Sequence, residues 1–244
     1  MVSKTNFYIG ICIVMSFYQD TVGFIIHQRD YSNNSLIIEF FSQDLGMVHL
    51  IAKGIKKNKQ QKSQLHYFSL LKIQYYGKSN LKTLSSLNLL KLKYFDNIVD
   101  KTAGLYLNEL LHYSLVEFDK AETLFNCYQG SLSKLGKGRL TPILRNFEKE
   151  LLKHNGFELS INTSIQDDCW IGIDEQMGFS TAQNKSDQLC KNKDLKQFLA
   201  NQIEDKGAQK RINKFMIHAI NLSLNNRRLF ARELLMTLTS KNSR

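Results

Sequence analysis

The apolar residues of this chain change their spacing once, near Asp96, and no other feature of the sequence limits its fold as strongly. Before that point they tend to alternate with polar residues, the period of a strand with one buried face. After it they recur about every 3.6 residues, the period of one face of a helix. A strand-rich half therefore precedes a helical half, and 244 residues suffice for one large domain or two small ones.

Between Thr21 and about Leu90 five short segments read as strands: TVGFIIHQ, SLIIEFFS, MVHLIAK, FSLLKIQYYGK and LKTLSSLNLL. Val48, Leu50 and Ala52 share one face against His49 and Lys53, and Leu71, Ile73 and Tyr75 oppose Lys72 and Gln74. Turn residues separate the segments at Tyr31 to Asn34, Gln43 to Gly46 and Gly77 to Asn80. Five short strands in so few residues suit a small closed barrel, most commonly an oligonucleotide-binding (OB) barrel.

Beyond Asp96, Ala103, Leu107, Leu110, Leu111 and Ser114 form one helical stripe, and Leu124, Phe125, Tyr128, Leu132 and Leu135 a second. A third helix is expected to open with Thr141 as N-cap and Pro142, the sole proline, as its first residue, and to stop at Gly156. Residues 157–194 are polar and aperiodic and read as a loop-rich insertion. Helical spacing returns at Ile212, Phe215, Met216 and Ala219, and a last short helix is expected over Leu229 to Leu238. The fold class is thus α+β, with an OB barrel over 15–95 and a helical domain over 96–244.

The apolar run from Phe7 to Tyr18 is too short to span a bilayer, for which about 20 residues are needed. Met15 directly precedes the first strand pattern, so residues 1–14 are expected to be a mis-annotated extension. The four cysteines, Cys12, Cys127, Cys169 and Cys190, form no CxxC pair. They suggest reduced thiols in a cytoplasmic protein rather than disulfides or a complete zinc site.

Charge points to a partner. Between Asp44 and Asp96 there is no acidic residue, yet the stretch contains Lys53, Lys56, Lys57, Lys59, Lys62, Lys72, Lys78, Lys82, Lys91 and Lys93, which account for +10 of the net +11. A single-sign surface repels itself, so the excess asks for a polyanion. KGIKKNKQQK, from Lys53 to Lys62, reads as a mobile loop between the third and fourth strands, able to follow a phosphate backbone. Aromatic residues interleave with these charges. Alternation turns Phe68 and Tyr75 inward, leaving Tyr67 and Tyr76 as candidates to stack on bases.

Catalytic motifs are missing: the sequence has no GxxxxGK[ST], no GxGxxG after a strand, no HExxH and no GxSxG. The six histidines are dispersed. His49 and His66 fall in the basic stretch, where a neutral surface role outweighs a phosphate contact. Asp167 with Asp168, and Glu148 with Glu150, read as solvated charge. No catalytic residue, cofactor or metal is expected.

Several segments resemble the RecO family of DNA-repair proteins: Gly23-Phe24-Ile25-Ile26-His27, Arg29-Asp30-Tyr31-Ser32, Phe40-Phe41-Ser42, Gly46-Met47-Val48 and Ala52-Lys53-Gly54. The likeness continues in order through Gly104-Leu105-Tyr106-Leu107-Asn108-Glu109-Leu110-Leu111, Arg145-Asn146-Phe147-Glu148 to Gly156, and Leu229-Phe230-Ala231-Arg232-Glu233-Leu234. Ala-Lys-Gly and Gly-Leu-Tyr-x-Asn-Glu-Leu are its most specific parts. The resemblance implies an OB domain and a helical bundle. It also implies binding of single- and double-stranded DNA, strand annealing, loading of the RecA recombinase with RecR, and contact with the tail of single-stranded DNA-binding protein. Some relatives hold zinc through four cysteines after the third helix; here only Cys169 and Cys190 lie there, so that site is expected to be absent.

Lys53 is carried over from the family as DNA-contacting. The charge argument adds Lys56, Lys57, Lys59, Lys62, Lys72, Lys78 and Lys82, and Arg29 is set among the expected DNA contacts as well. Arg139 and Arg145 are the weaker candidates to receive an acidic protein tail. An RNA-binding or translation-associated OB protein would use the same lysines, since the sequence does not reveal contacts to a 2′-hydroxyl. A membrane-surface protein, using Lys56 to Lys62 with the N-terminal apolar run, is the third reading.

Overall fold

The computed structural model describes residues 18–159, 163–173, 179–182 and 189–241. The expected extension over 1–14, Met15, most of the Phe7 to Tyr18 run and parts of the insertion lie outside them.

The five expected strands form. β1 (Gln19–Asp30), β2 (Leu36–Ser42), β3 (Gly46–Ala52), β4 (Leu70–Tyr76) and β5 (Lys82–Lys91) close into a barrel in the order β1-β2-β3-β5-β4. All neighbours are antiparallel except β3 and β5, which pair in parallel. The alternating residues fill the interior as their period requires: Ile38, Phe40, Val48, Leu50, Ala52, Leu71, Ile73, Tyr75 and Leu87 form one buried cluster. Tyr75 is buried in the barrel interior as expected; Phe68 is buried too, but in the helix-side core, because it precedes β4 at φ +68° and does not follow that strand's alternation. A bulge in β1 between Ile25 and His27 leaves Ile26 without a partner residue on β2.

The connection from β3 to β4 carries one turn of helix, α1 (Lys59–Lys62), capped by the Asn58 side chain. Then follow α2 (Ile98–Ser114), α3 (Glu122–Lys134) and α4 (Leu140–His154). The expected stripes of α2 and α3 are buried, apart from the half-exposed Ser114. They do not make a separate core. Phe24, Phe41 and Met47, on the outer wall of the barrel, join the same cluster, with Phe24 edge-on to Tyr128 at 5.1 Å and Phe41 to Phe125 at 5.3 Å. The helices thus cover one side of the barrel.

Two expectations need correction. α4 begins two residues early, with Arg139 rather than Thr141 at the N-cap and no side-chain cap bond, which places Pro142 at the third helical position. A proline costs nothing there, because the first-turn amides have no acceptor within the helix. Gly156, at φ +85°, ends the helix as expected.

The insertion is also more regular than its composition suggests. β6 (Trp170–Ile173), β7 (Phe179–Thr181) and β8 (Cys190–Lys191) form a small sheet in the order β7-β6-β8, running directly into α5 (Asn192–Leu199). Strands of two to four residues are too short to display a period. α6 (Lys206–Ser223) buries Ile212, Phe215, Met216 and Ala219, and α7 (Phe230–Lys241) closes the described chain.

Candidate nucleic-acid interface

The register of the strands sorts the outer wall of the barrel into rows. Phe24, Phe41 and Met47 are cross-strand partners and lie under the helices. His27, Glu39 and His49 form the next row, which also meets the helical part: His112 Nδ1 lies 2.5 Å from Glu39, its ring stacks 4.8 Å from that of His27, and His49 pairs with Glu117. Burial alone pushes the Glu39 carboxyl up, but His112, with His27 and His49 behind it, outweighs this and holds it below the ordinary value. Arg29, Ile37, Ile51 and Thr83 make the third row, and here the exposed Arg29 leads onto the loops.

The β3–β4 connection begins at the end of that row. Two pegs fix it: Ile55, buried in the barrel, and Lys56, whose amide donates to the Asn34 carbonyl at 3.2 Å while its Nζ reaches Asp30 at 2.7 Å and the Ser32 carbonyl at 3.1 Å. Lys56 is therefore a clamp between two loops. Lys53, Lys57, Lys59 and Lys62 remain, all exposed and without an acidic partner among the described residues.

The rest of the acid-free stretch does not gather there. Lys78 is exposed in the β4–β5 turn, while Lys82 donates to the Gly77 carbonyl at 3.2 Å and lies 5.2 Å over the Phe118 ring. Lys72 is ion-paired with Asp20 at 3.1 Å on β4, which the strand order sets across the barrel from β2 and β3. Lys93 donates to the Leu135 carbonyl at 3.4 Å, on the helical side. The stretch is one cluster, one clamp and several separate charges, because a closed barrel points its walls in every direction.

The two candidate stacking residues are both half-buried. Tyr67 packs between the two cores, while Tyr76 sits edge-on to Tyr18 at 5.4 Å. Sequence reasoning passed over Tyr31, which is 59% exposed in the β1–β2 turn beside the Lys56 clamp, and left unused Tyr94, which is 68% exposed after β5. The position of each outside a strand was the available signal.

Arg139 and Arg145 do come together. With Lys149 they line a cleft of about 360 Å³ whose apolar wall includes Leu140, Phe198 and Ile212. Arg145 donates to Glu148, which also accepts from the Tyr106 hydroxyl at 2.7 Å. Glu148 is not the solvated charge the sequence suggested; it is fully buried, and burial pushes its carboxyl up against the opposing pull of Arg145 and Tyr106. The signal was present, since Leu144, Phe147, Glu148 and Leu151 share one helical stripe. Asp167 and Asp168 match their expectation: they pair with Lys196 at 2.5 Å, and with Lys191 at 3.2 Å and Lys193 at 2.8 Å, on the surface.

The residues after α4 do not fit a four-cysteine zinc centre. Only Cys169 and Cys190 lie there, and the Cys190 thiol is pushed up to about 12, first by burial and then by Asp194. A metal ligand must be the thiolate.

The Gly-Leu-Tyr-x-Asn-Glu segment of α2 has a structural account. Gly104 leaves room for Phe68, whose ring would lie 2.8 Å from an added Cβ, and Tyr106 satisfies Glu148. Asn108 donates to the Ile26 carbonyl at 3.1 Å and accepts from the Tyr128 hydroxyl, and Glu109 accepts from the first-turn amides of α7 at Phe230 (2.8 Å) and Ala231 (3.0 Å).

No helix among the described residues is long and apolar enough to cross a membrane. The family profile described as "Recombination protein O N terminal" matches residues 15–92, and that described as "Recombination protein O C terminal" matches residues 96–168. Over 221 residues the chain is 32% identical to the DNA repair protein RecO of Coxiella burnetii, covering 87% of this chain and 96% of that protein. Identity to the DNA repair protein RecO of Actinobacillus pleuropneumoniae is 28% over 225 residues, or 88% and 94% of the two chains. For that of Glaesserella parasuis it is 34% over 138 residues, or 55% and 58%. With a closed five-stranded barrel followed by helices and these matches along most of its length, the chain belongs to the RecO family of DNA repair proteins.

Proposed function

We propose that the chain is a recombination mediator that binds single- and double-stranded DNA at the β3–β4 connection, anneals complementary strands, and helps load RecA together with RecR. The observation that carries this reading is the cluster of Lys53, Lys57, Lys59 and Lys62, exposed next to Arg29 and unopposed by carboxylates among the described residues. Ammonium groups held this way neutralise phosphates and release counterions, contributing about −0.7 per contact to the salt dependence on single strands. Annealing then makes and breaks no covalent bond. The protein lowers the repulsion between two phosphate chains, and base pairing supplies the specificity.

The cleft at the start of α4 suits the acidic tail of single-stranded DNA-binding protein. Arg139, Arg145 and Lys149 would meet carboxylates while Leu140, Phe198 and Ile212 take an apolar side chain. The buried Glu148 holds Arg145 in place for this.

The test is annealing of complementary strands coated with single-stranded DNA-binding protein, with Lys53, Lys57, Lys59 and Lys62 all changed to Glu. The variant is expected to keep its thermal stability and lose annealing. Annealing at the wild-type rate would show the cluster to be the wrong surface.

A further inference from the structure

A second basic surface lies outside the barrel, from the last residue of α3 through the loop that joins it to α4. Its sequence, Lys134-Leu-Gly-Lys137-Gly-Arg139, places three exposed cations within six residues, and their side chains make no ion pair among the described residues. They rim a shallow hollow of about 460 Å³ with Ser133, Gly138 and Pro142, and no carboxylate lines it. Gly136 turns the loop at φ +81°, where a larger residue would be strained. Asp100, the acidic group near Gly136, is already engaged with Asn97 as part of the α2 cap. The adjoining first turn of α4 holds no acidic residue and no side-chain cap, so its amides add to the positive field.

This loop is tied to the barrel by contacts that run in sequence. Ser69, where the β3–β4 connection ends, accepts from the Lys93 amide at 3.0 Å, and Lys93 Nζ donates to the Leu135 carbonyl at 3.4 Å. Phe68 and Phe95 pack 5.2 Å apart on the same seam. Lys91, the last residue of β5, and Tyr94, just past Lys93, are both exposed, the latter 68%.

We infer that a single strand of nucleic acid held at the β3–β4 connection continues over Tyr94 onto the α3–α4 loop, where Lys134, Lys137 and Arg139 hold its phosphates and Tyr94 stacks on a base. This rests on the proposed DNA-binding role of the barrel and extends it. The helical part becomes a second half of the strand path, and the protein reads length as well as charge. Phosphodiester chemistry suits the hollow because Lys134, Lys137 and Arg139 line it with no carboxylate to oppose them.

The test compares a short oligodeoxynucleotide, about 8 nucleotides, with one of about 24, since a single OB barrel occupies about 4–16. Wild type is expected to bind the longer strand more tightly. Lys134→Glu with Lys137→Glu is expected to leave the short strand unaffected, weaken the long one roughly tenfold, and lower its salt slope by about 1.4 for two lost contacts. Tyr94→Ala is expected to act on the long strand alone. Arg139 is left intact, because it also lines the cleft assigned to the protein tail. Equal loss on both lengths, or wild-type affinity and slope on the long strand, overturns the inference and leaves the barrel reading standing. If the double variant instead loses an acidic peptide while keeping DNA, the loop is a peptide site and the inference fails. Absence of binding by wild type to either strand overturns the proposed function itself.

Discussion

Asn108 is the residue on which the joint between barrel and helices turns, and its replacement by alanine should be costly. The β1 bulge deprives Ile26 of a ladder partner, so its carbonyl depends on the Asn108 amide at 3.1 Å; the fully buried Tyr128 hydroxyl depends on the Asn108 carbonyl oxygen. Asn108→Ala strands both groups in a buried seam. An unsatisfied buried polar group costs about 1–3 kcal/mol, so two give about 2–6 kcal/mol before any cavity is counted. At about 2–4 °C per kcal/mol for a chain of this size, a mid-range loss of about 4 kcal/mol lowers Tm by about 8–16 °C. Thermal melts and urea titrations followed by circular dichroism measure this directly. Tyr128→Phe supplies the control: in that background Asn108→Ala strands one group fewer, so the two costs should fall short of additivity by about 1 kcal/mol. A loss below about 1 kcal/mol for Asn108→Ala, or strict additivity in the cycle, would refute the assignment.

Other outcomes follow from the same contacts. Changing Lys57 and Lys59 to Gln should lower the salt slope of single-strand binding by about 1.4, whereas Lys72→Gln, on the far wall and paired with Asp20, should leave it unchanged. Gly104→Ala drives a Cβ against the Phe68 ring at 2.8 Å and should destabilise the protein by about 1–3 kcal/mol in denaturant titration. Glu109→Ala removes the acceptor for two α7 amides, so hydrogen exchange at Phe230 and Ala231 should accelerate, with a stability loss of about 0.5–2 kcal/mol. Burial holds the His27 pKa below 6.5, so the unfolded chain binds its proton more readily. Stability is therefore lost as the pH falls from 6.5 through the lower folded value, and His27→Gln should flatten that part of the stability profile.

Much of the architecture could be read from periods alone. Val48-Leu50-Ala52 and Leu71-Ile73-Tyr75 announced their strands because one face of each is buried, and Leu124 to Leu135 announced α3 for the same reason at helical spacing. The small sheet of Trp170 to Lys191 had no such signal, its strands being shorter than the run alternation needs. The site was only partly legible. Charge density along the sequence does not know that barrel closure turns Lys72 away from Lys57, or that Asp30 comes to Lys56 from another strand. Glu148 was misread because its neighbours in sequence, Lys149 and Glu150, are charged, while its neighbours on the helix face, Leu144 and Leu151, are not.

Of the segment from Lys53 to Lys62, only Ile55 enters the core and only Lys56 is bound to another strand. Length and charge beyond those two anchors can change at almost no expense to the folded state. Grip on a polyanion can therefore drift, strengthen or weaken across generations while the scaffold beneath stays fixed, and a designer could retune it by editing Lys53, Lys57, Lys59 and Lys62.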